Sequence, residues 1–178
     1  ALPISFILYR ASVYGNLGIM FPMITSVSEV QKVLEICKTV REELQAEQIP
    51  YAEKMELGIM IETPAAAIIS DQLAPLVDFF SVGTNDLTQY TLACDRQNPD
   101  IESFCDTHHE AILRLIAWSA KNAHEHGAWI GICGELAADT SLTERFLRMG
   151  IDELSVSPTF VLKVRDAVRK VDLRTKEN

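Results

Sequence analysis

One pattern recurs along the chain: a short apolar run, a polar break, then a stretch with helical spacing. Strands are predicted over residues 18–24, 55–61, 79–82, 129–133 and 153–157, mostly as apolar runs that do not alternate with polar residues. An alternating strand has one wet face, whereas an unbroken apolar run belongs to a strand covered on both. Strands and helices in succession then imply a parallel sheet with right-handed crossovers. The pattern is compatible with a closed barrel and with an open sheet. In both, chemistry sits just past the carboxyl ends of the strands.

The stretches between these runs read as helices. Ser26, with Glu29 three residues on, forms a capping box, and Val27, Val30, Leu34, Cys37, Val40 and Leu44 then share one helical face. Ile49-Pro50 closes that helix. Pro64 suits the first position of a short helix. After a polar stretch over 95–109, the residues Ala111, Ile112, Leu115, Ile116 and Ala123 define an inward face ended by Gly127. Further helices are expected over 141–149, stopped by Gly150, and over 158–171. No linker, low-complexity segment or close repeat divides the chain, so it reads as one domain.

A length of 178 residues allows a proper core but falls short of the roughly 250 of a complete eight-fold barrel. With 48% hydrophobic and 23% charged residues, disorder is not expected. A net charge of -9 argues against nucleic acid or an anionic membrane as partner. It also requires an anionic substrate to find a local cation, from arginine or a metal. No apolar stretch reaches the roughly 18 residues of a membrane span. Cys37, Cys94, Cys105 and Cys133 show no CxxC spacing, so neither a zinc site nor a disulfide frame is expected, and a reducing cytosol fits. The apolar start has no basic leader and no initiator Met, as in a truncated chain.

Three strand ends carry the candidate chemistry. Glu62 follows the 55–61 strand, Asn85 and Asp86 follow 79–82 in what reads as a polar turn, and Cys133 ends 129–133. Two carboxylates, Glu62 and Asp86, on neighbouring strand ends suit Mg²⁺, which takes oxygen ligands and is usually held by one or two carboxylates plus phosphate. Their plainer roles are as caps of the local backbone. Asn85 can donate from its amide, and the Arg96 guanidinium is a natural phosphate clamp; a turn residue and an ion pair with Asp95 are the alternatives. The Cys133 thiol could act as nucleophile or proton donor, or simply as a small buried hydrophobe. Gly134 beside it allows close approach of backbone or ligand. Most of His108, His109, His124 and His126 are expected at the surface or as caps.

Taken together, the segments Ile61-Glu62-Thr63-Pro64-Ala65-Ala66-Ala67, Gly83-Thr84-Asn85-Asp86-Leu87-Thr88-Gln89-Tyr90-Thr91-Leu92-Ala93 and Cys133-Gly134-Glu135-Leu136-Ala137 resemble the phosphoenolpyruvate-utilising enzymes. Tyr90-Thr91-Leu92-Ala93 and Leu136-Ala137 resemble the Enzyme I branch, the phosphoenolpyruvate–protein phosphotransferases of bacterial sugar uptake, more than the dikinases and synthases. The resemblance covers roughly 10–173, with residues 1–9 as an atypical start. It implies the later part, about five parallel strands, of a phosphoenolpyruvate-binding (β/α)₈ barrel over 10–178. It further implies that Glu62 and Asp86 ligate Mg²⁺ and that Asn85 and Arg96 hold phosphoenolpyruvate. Cys133 would protonate the enolate carbon as pyruvate forms. The partners implied are a phosphorylated histidine in an amino-terminal domain, the carrier protein HPr, and a second copy of the protein. The phosphate-clamping arginines of the family's earlier strands lie outside this chain, so by itself it is expected to be inactive. A dikinase or synthase fragment, or a non-catalytic phosphoenolpyruvate-sensing or dimerisation module, are the alternatives.

Overall fold

The computed structural model describes residues 2–174. Helix α1 (Leu2–Ala11) is followed by β1 (Ile19–Phe21), α2 (Val27–Ala46), β2 (Leu57–Ile61), α3 (Pro64–Ile68) and α4 (Ser70–Leu73). The second half comprises β3 (Phe79–Gly83), α5 (Thr84–Leu92), α6 (Glu110–Glu125), β4 (Trp129–Cys133), α7 (Thr143–Met149), β5 (Glu153–Leu154) and α8 (Val161–Lys170). All four strand pairings are parallel, and the strands lie in chain order. A doubly wound sheet reverses its order partway across, whereas a (β/α)₈ barrel does not. The five strands are therefore an arc of the barrel type, with β1 and β5 at its edges.

Local chemistry sets the element ends. The Ser26 hydroxyl accepts from the Glu29 N–H while the Glu29 carboxylate takes the Ser26 N–H, so the expected capping box opens α2. Thr63 caps α3, its hydroxyl accepting from the Ala66 N–H and donating to the Ile24 carbonyl, with Pro64 first in the helix. Gly150 ends α7 at φ +87°, a left-handed conformation that suits glycine.

The two faces of the sheet differ in kind. Ile59, Ile61, Phe80, Val82, Ile130 and Ile132 point outward and pack with Ala66 and Ala67 of α3 and Ile112, Ile116 and Ala120 of α6 in one buried cluster. The inner face carries Gly58, Met60, Phe79, Ser81, Trp129, Gly131 and Cys133. The Phe79 ring lies so close over Gly58 that a Cβ there would come within 2.4 Å of it. It stacks on Trp129 with centroids 4.5 Å apart, an aromatic floor at the amino-terminal end of the sheet. A second cluster joins Tyr9 of α1 to Ile19, Cys37, Val40 and Leu44.

Several expectations need correction. The polar turn after β3 is in fact the start of helix α5, with Asn85 and Asp86 in its first turn. Its three threonines, Asn and Asp are weak helix formers, and burial of Thr84, Leu87 and Thr88 against the fold decides the matter. Cys94 and Cys105, expected as free thiols, form a disulfide, because the loop after α5 folds back on itself. The edge strands are shorter than 18–24 and 153–157, since the chain turns away at Met23, with φ 57°, and beyond Leu154.

Candidate active site

Register brings the strand ends level. Ile61 pairs with Val82, and Gly83 pairs with Cys133, so Glu62, Gly83 and Cys133 stand side by side at the carboxyl edge. Glu62 is only 3% exposed. Its carboxylate accepts a 2.6 Å hydrogen bond from the Met23 N–H and has the Asp86 carboxylate as a neighbour. Burial pushes the Glu62 carboxyl above its usual value; the Met23 hydrogen bond opposes this and the neighbouring Asp86 adds to it. Met23 itself is left-handed, an uncommon backbone for a non-glycine residue, found here where its N–H is turned onto the carboxylate. Gly83 leaves room for that carboxylate: a Cβ would stand 2.8 Å from Glu62 Oε2.

The β3 and β4 ends interlock. Thr84 Oγ1 donates to the Cys133 carbonyl at 3.1 Å, and the Glu135 N–H donates to Asn85 Oδ1 at 3.3 Å. The Asn85 carbonyl is thus engaged, and its amide N–H groups are the donors left to offer a ligand. Gly134, at φ +100°, permits this contact, since a Cβ there would lie 2.6 Å from Thr84 Oγ1. The Cys133 sulfur accepts from the Ser81 hydroxyl at 3.3 Å, and its S–H faces the Val82 carbonyl at 3.4 Å. It opens on a cleft of about 440 Å³ shared with Asn85, Glu135, Ser157 and Phe160. A larger hollow of about 600 Å³, beside Lys38, Arg41 and Tyr51, lies at the carboxyl end of α2 and gathers none of these groups.

The candidate residues thus divide. Glu62 meets Asp86, and Asn85 meets the Cys133 loop. Arg96 stands apart, exposed on the loop after α5, its backbone N–H donating to Gln89 Oε1 and its side chain outside the cleft lining. That loop carries the Cys94–Cys105 bridge and leads to His108, whose Nε2 meets Asp139 at 2.7 Å beyond the Cys133 loop. Hydrogen bonds from Ser141, aided by His108, hold the Asp139 carboxyl below its usual range although its partial burial acts the other way. His109 caps α6, and His126 follows its last turn. Among the described residues no three His, Cys, Asp or Glu side chains cluster as a metal site would, which leaves an acidic pair.

Sequence reasoning passed over Ser81, Thr84, Ser157 and Phe160. Ser81 had left a signal: it is the one hydroxyl inside the apolar run of β3, placed two residues before Gly83 and so on the face that carries Cys133.

A parallel barrel-type arc with an acidic pair, an amide and a thiol at its carboxyl edge belongs to the α/β class whose active sites lie at that edge. Residues 7–173 match the family described as PEP-utilising enzyme, PEP-binding domain, and the chain belongs to that family. A phosphoenolpyruvate-protein phosphotransferase of Lactococcus lactis subsp. cremoris is 46% identical over 170 residues, 96% of this chain and 30% of that protein. One from Priestia megaterium is 46% identical over 164 residues, 92% of this chain and 29% of the relative. The chain therefore spans under a third of the length of these curated relatives. Among solved structures, a citrate lyase from Burkholderia xenovorans LB400 aligns over 94% of this chain and 53% of its own, with TM-score 0.71 and 18% identity. Haloferax volcanii malate synthase aligns over 99% and 52%, with TM-score 0.68 and 14% identity. At such identities these two speak for the fold alone.

Proposed function

We propose that this chain is the phosphoenolpyruvate-binding part of a phosphoenolpyruvate–protein phosphotransferase, the Enzyme I of a bacterial sugar phosphotransferase system. The observation that carries the reading is a buried Glu62 carboxylate with Asp86 as its neighbour, one strand away from a thiol that opens on a cleft. A buried carboxylate beside a second one, with one backbone donor between them and a third strand end, is an all-oxygen donor set short of cations. Such a pair fits Mg²⁺, and Glu62 and Asp86 would hold it. When bound, the ion supplies charge neutralisation to phosphoryl oxygens. The Asn85 amide and Arg96, once its loop is drawn in, would hold the phosphate and carboxylate of the substrate.

The bond to phosphorus passes from the enol oxygen of phosphoenolpyruvate to a histidine nitrogen of an amino-terminal domain, which then phosphorylates HPr. The enolate left behind takes the proton of the Cys133 S–H onto its methylene carbon, giving pyruvate and a thiolate. Phosphoryl transfer depends on positioning and charge, carbon protonation on the thiol. A cytosolic homodimer engaged in sugar uptake goes with this reading. In the full-length protein, Cys133→Ala should leave histidine phosphorylation within about tenfold of the parent and slow pyruvate formation by about 10²–10⁴. Rapid-quench measurement of the two steps separately decides it. Equal loss of both would make Cys133 structural and remove the proton-donor role.

A further inference from the structure

We infer that Ser81 is a positioning residue for Cys133: its hydroxyl holds the sulfur in place and stabilises the thiolate left when the proton goes to carbon. The inference rests on the proton-donor reading above for its purpose, and on β3 for its evidence. Ser81 and Gly83 face the same side of β3, and Gly83 is the register partner of Cys133. The Ser81 Oγ to Cys133 Sγ distance is 3.3 Å, and among the described residues this hydroxyl is the side-chain donor to the sulfur. The S–H is turned the other way, to the Val82 carbonyl at 3.4 Å. Two neighbouring residues of β3 thus take opposite parts, Val82 as acceptor for the thiol proton and Ser81 as donor to the sulfur.

Protonation of an enolate then needs one small movement. Rotation about the Cβ–Sγ bond swings the proton from the Val82 carbonyl toward the cleft, while the Ser81 contact keeps the sulfur where it is. As the S–H bond breaks and the C–H bond forms, negative charge collects on sulfur. Of the residues that line the cleft beside the sulfur, the charged one is Glu135, itself an anion. A hydroxyl donor is the available stabiliser, and a hydrogen bond to an anion is worth more than one to a neutral group. The contact is present in the absence of substrate, so it can be read without any turnover.

The test is alkylation of Cys133 by iodoacetamide near neutral pH, located by mass spectrometry. Thiolate is the reacting form, and mass spectrometry reads the Cys133 adduct apart from the buried Cys37 and from Cys94 and Cys105. Ser81→Ala should slow alkylation about tenfold, and Ser81→Thr, which keeps the hydroxyl, should stay within about twofold of the parent. An unchanged or faster rate in Ser81→Ala would overturn the inference, as would equal slowing in both variants. Should Ser81→Ala not fold, Ser81→Gly carries the same expectation. Pyruvate formation by the full-length protein separates the two ideas. Slowed alkylation with undiminished pyruvate formation upholds the Ser81 contact and sinks the proton-donor reading; unchanged alkylation sinks Ser81 whatever the activity.

Discussion

The two faces of one sheet divide the labour of this molecule, and neighbouring residues show it. Phe80 is fully buried under the helices, while Ser81 turns inward to a sulfur. Ile132 is fully buried, while Cys133 opens on the cleft. Ile61 is fully buried, while Glu62 beyond it meets a second carboxylate. The outer face spends side chains on packing, which interiors reward by area and shape. The inner face keeps small and polar groups at the carboxyl edge, over the Phe79–Trp129 floor. Packing and the candidate chemistry thus fall to alternate residues of the same strands.

That division can be broken by paired substitutions. Phe80→Ala empties the outer core and should cost roughly 3–5 kcal/mol of unfolding free energy, read by denaturant titration. Ser81→Ala, one residue along, should cost well under 1 kcal/mol, as mild changes outside the core do. Similar losses at the two positions would contradict the comparison. An intermediate effect is expected at Gly83, where a Cβ would come within 2.9 Å of Glu62 Cβ and Met60 Cε. Gly83→Ala should cost roughly 1–3 kcal/mol as an overpacking change and weaken Mg²⁺ binding by calorimetry; intact binding would mean that Glu62 does not need this clearance.

The smallest effect comes from Glu62 itself. Burial, with Asp86 adding to it, raises its carboxyl above the ordinary value. The folded chain then binds that proton more tightly than the unfolded chain does. Its stabilising contribution is present below the unfolded value and is lost as pH rises through the folded one. Above that window and without Mg²⁺, Glu62→Gln should melt slightly higher than the parent. Adding Mg²⁺ should raise the melting temperature of the parent more than that of the variant. The same response in both would remove Glu62 from the metal site.

Much of this was readable in the residues, for physical reasons. Strand β4 spans the expected 129–133, because an apolar run between Gly127 and Gly134 has no helical alternative of sufficient length. The Ser26–Glu29 box and the Thr63-Pro64 start lie where local hydrogen bonding demands them. Helix α5 was hidden, since tertiary burial of Leu87 overrides weak local propensity. The Cys94–Cys105 pairing was hidden too, because eleven residues of separation say nothing of how a loop closes. The meeting of Glu62 with Asp86 followed from strand neighbours, but the partners of the Cys133 sulfur depend on register, which no single strand reveals. A disulfide is exceptional in the cytosol, so a Cys94–Cys105 bridge that persists in protein trapped with a thiol reagent at lysis would count against the proposed cytosolic location.

The central claim is that the carboxyl edge is a Mg²⁺-dependent site where Cys133 exchanges a proton with carbon. Run in reverse, that step removes a methyl proton from pyruvate, so the full-length protein in deuterium oxide should exchange the pyruvate methyl hydrogens. Proton NMR of the methyl signal measures this directly. Exchange that requires Mg²⁺ and falls by at least about a hundredfold in Cys133→Ala is the predicted result; exchange that survives without Mg²⁺, or undiminished in Cys133→Ala, would contradict the account.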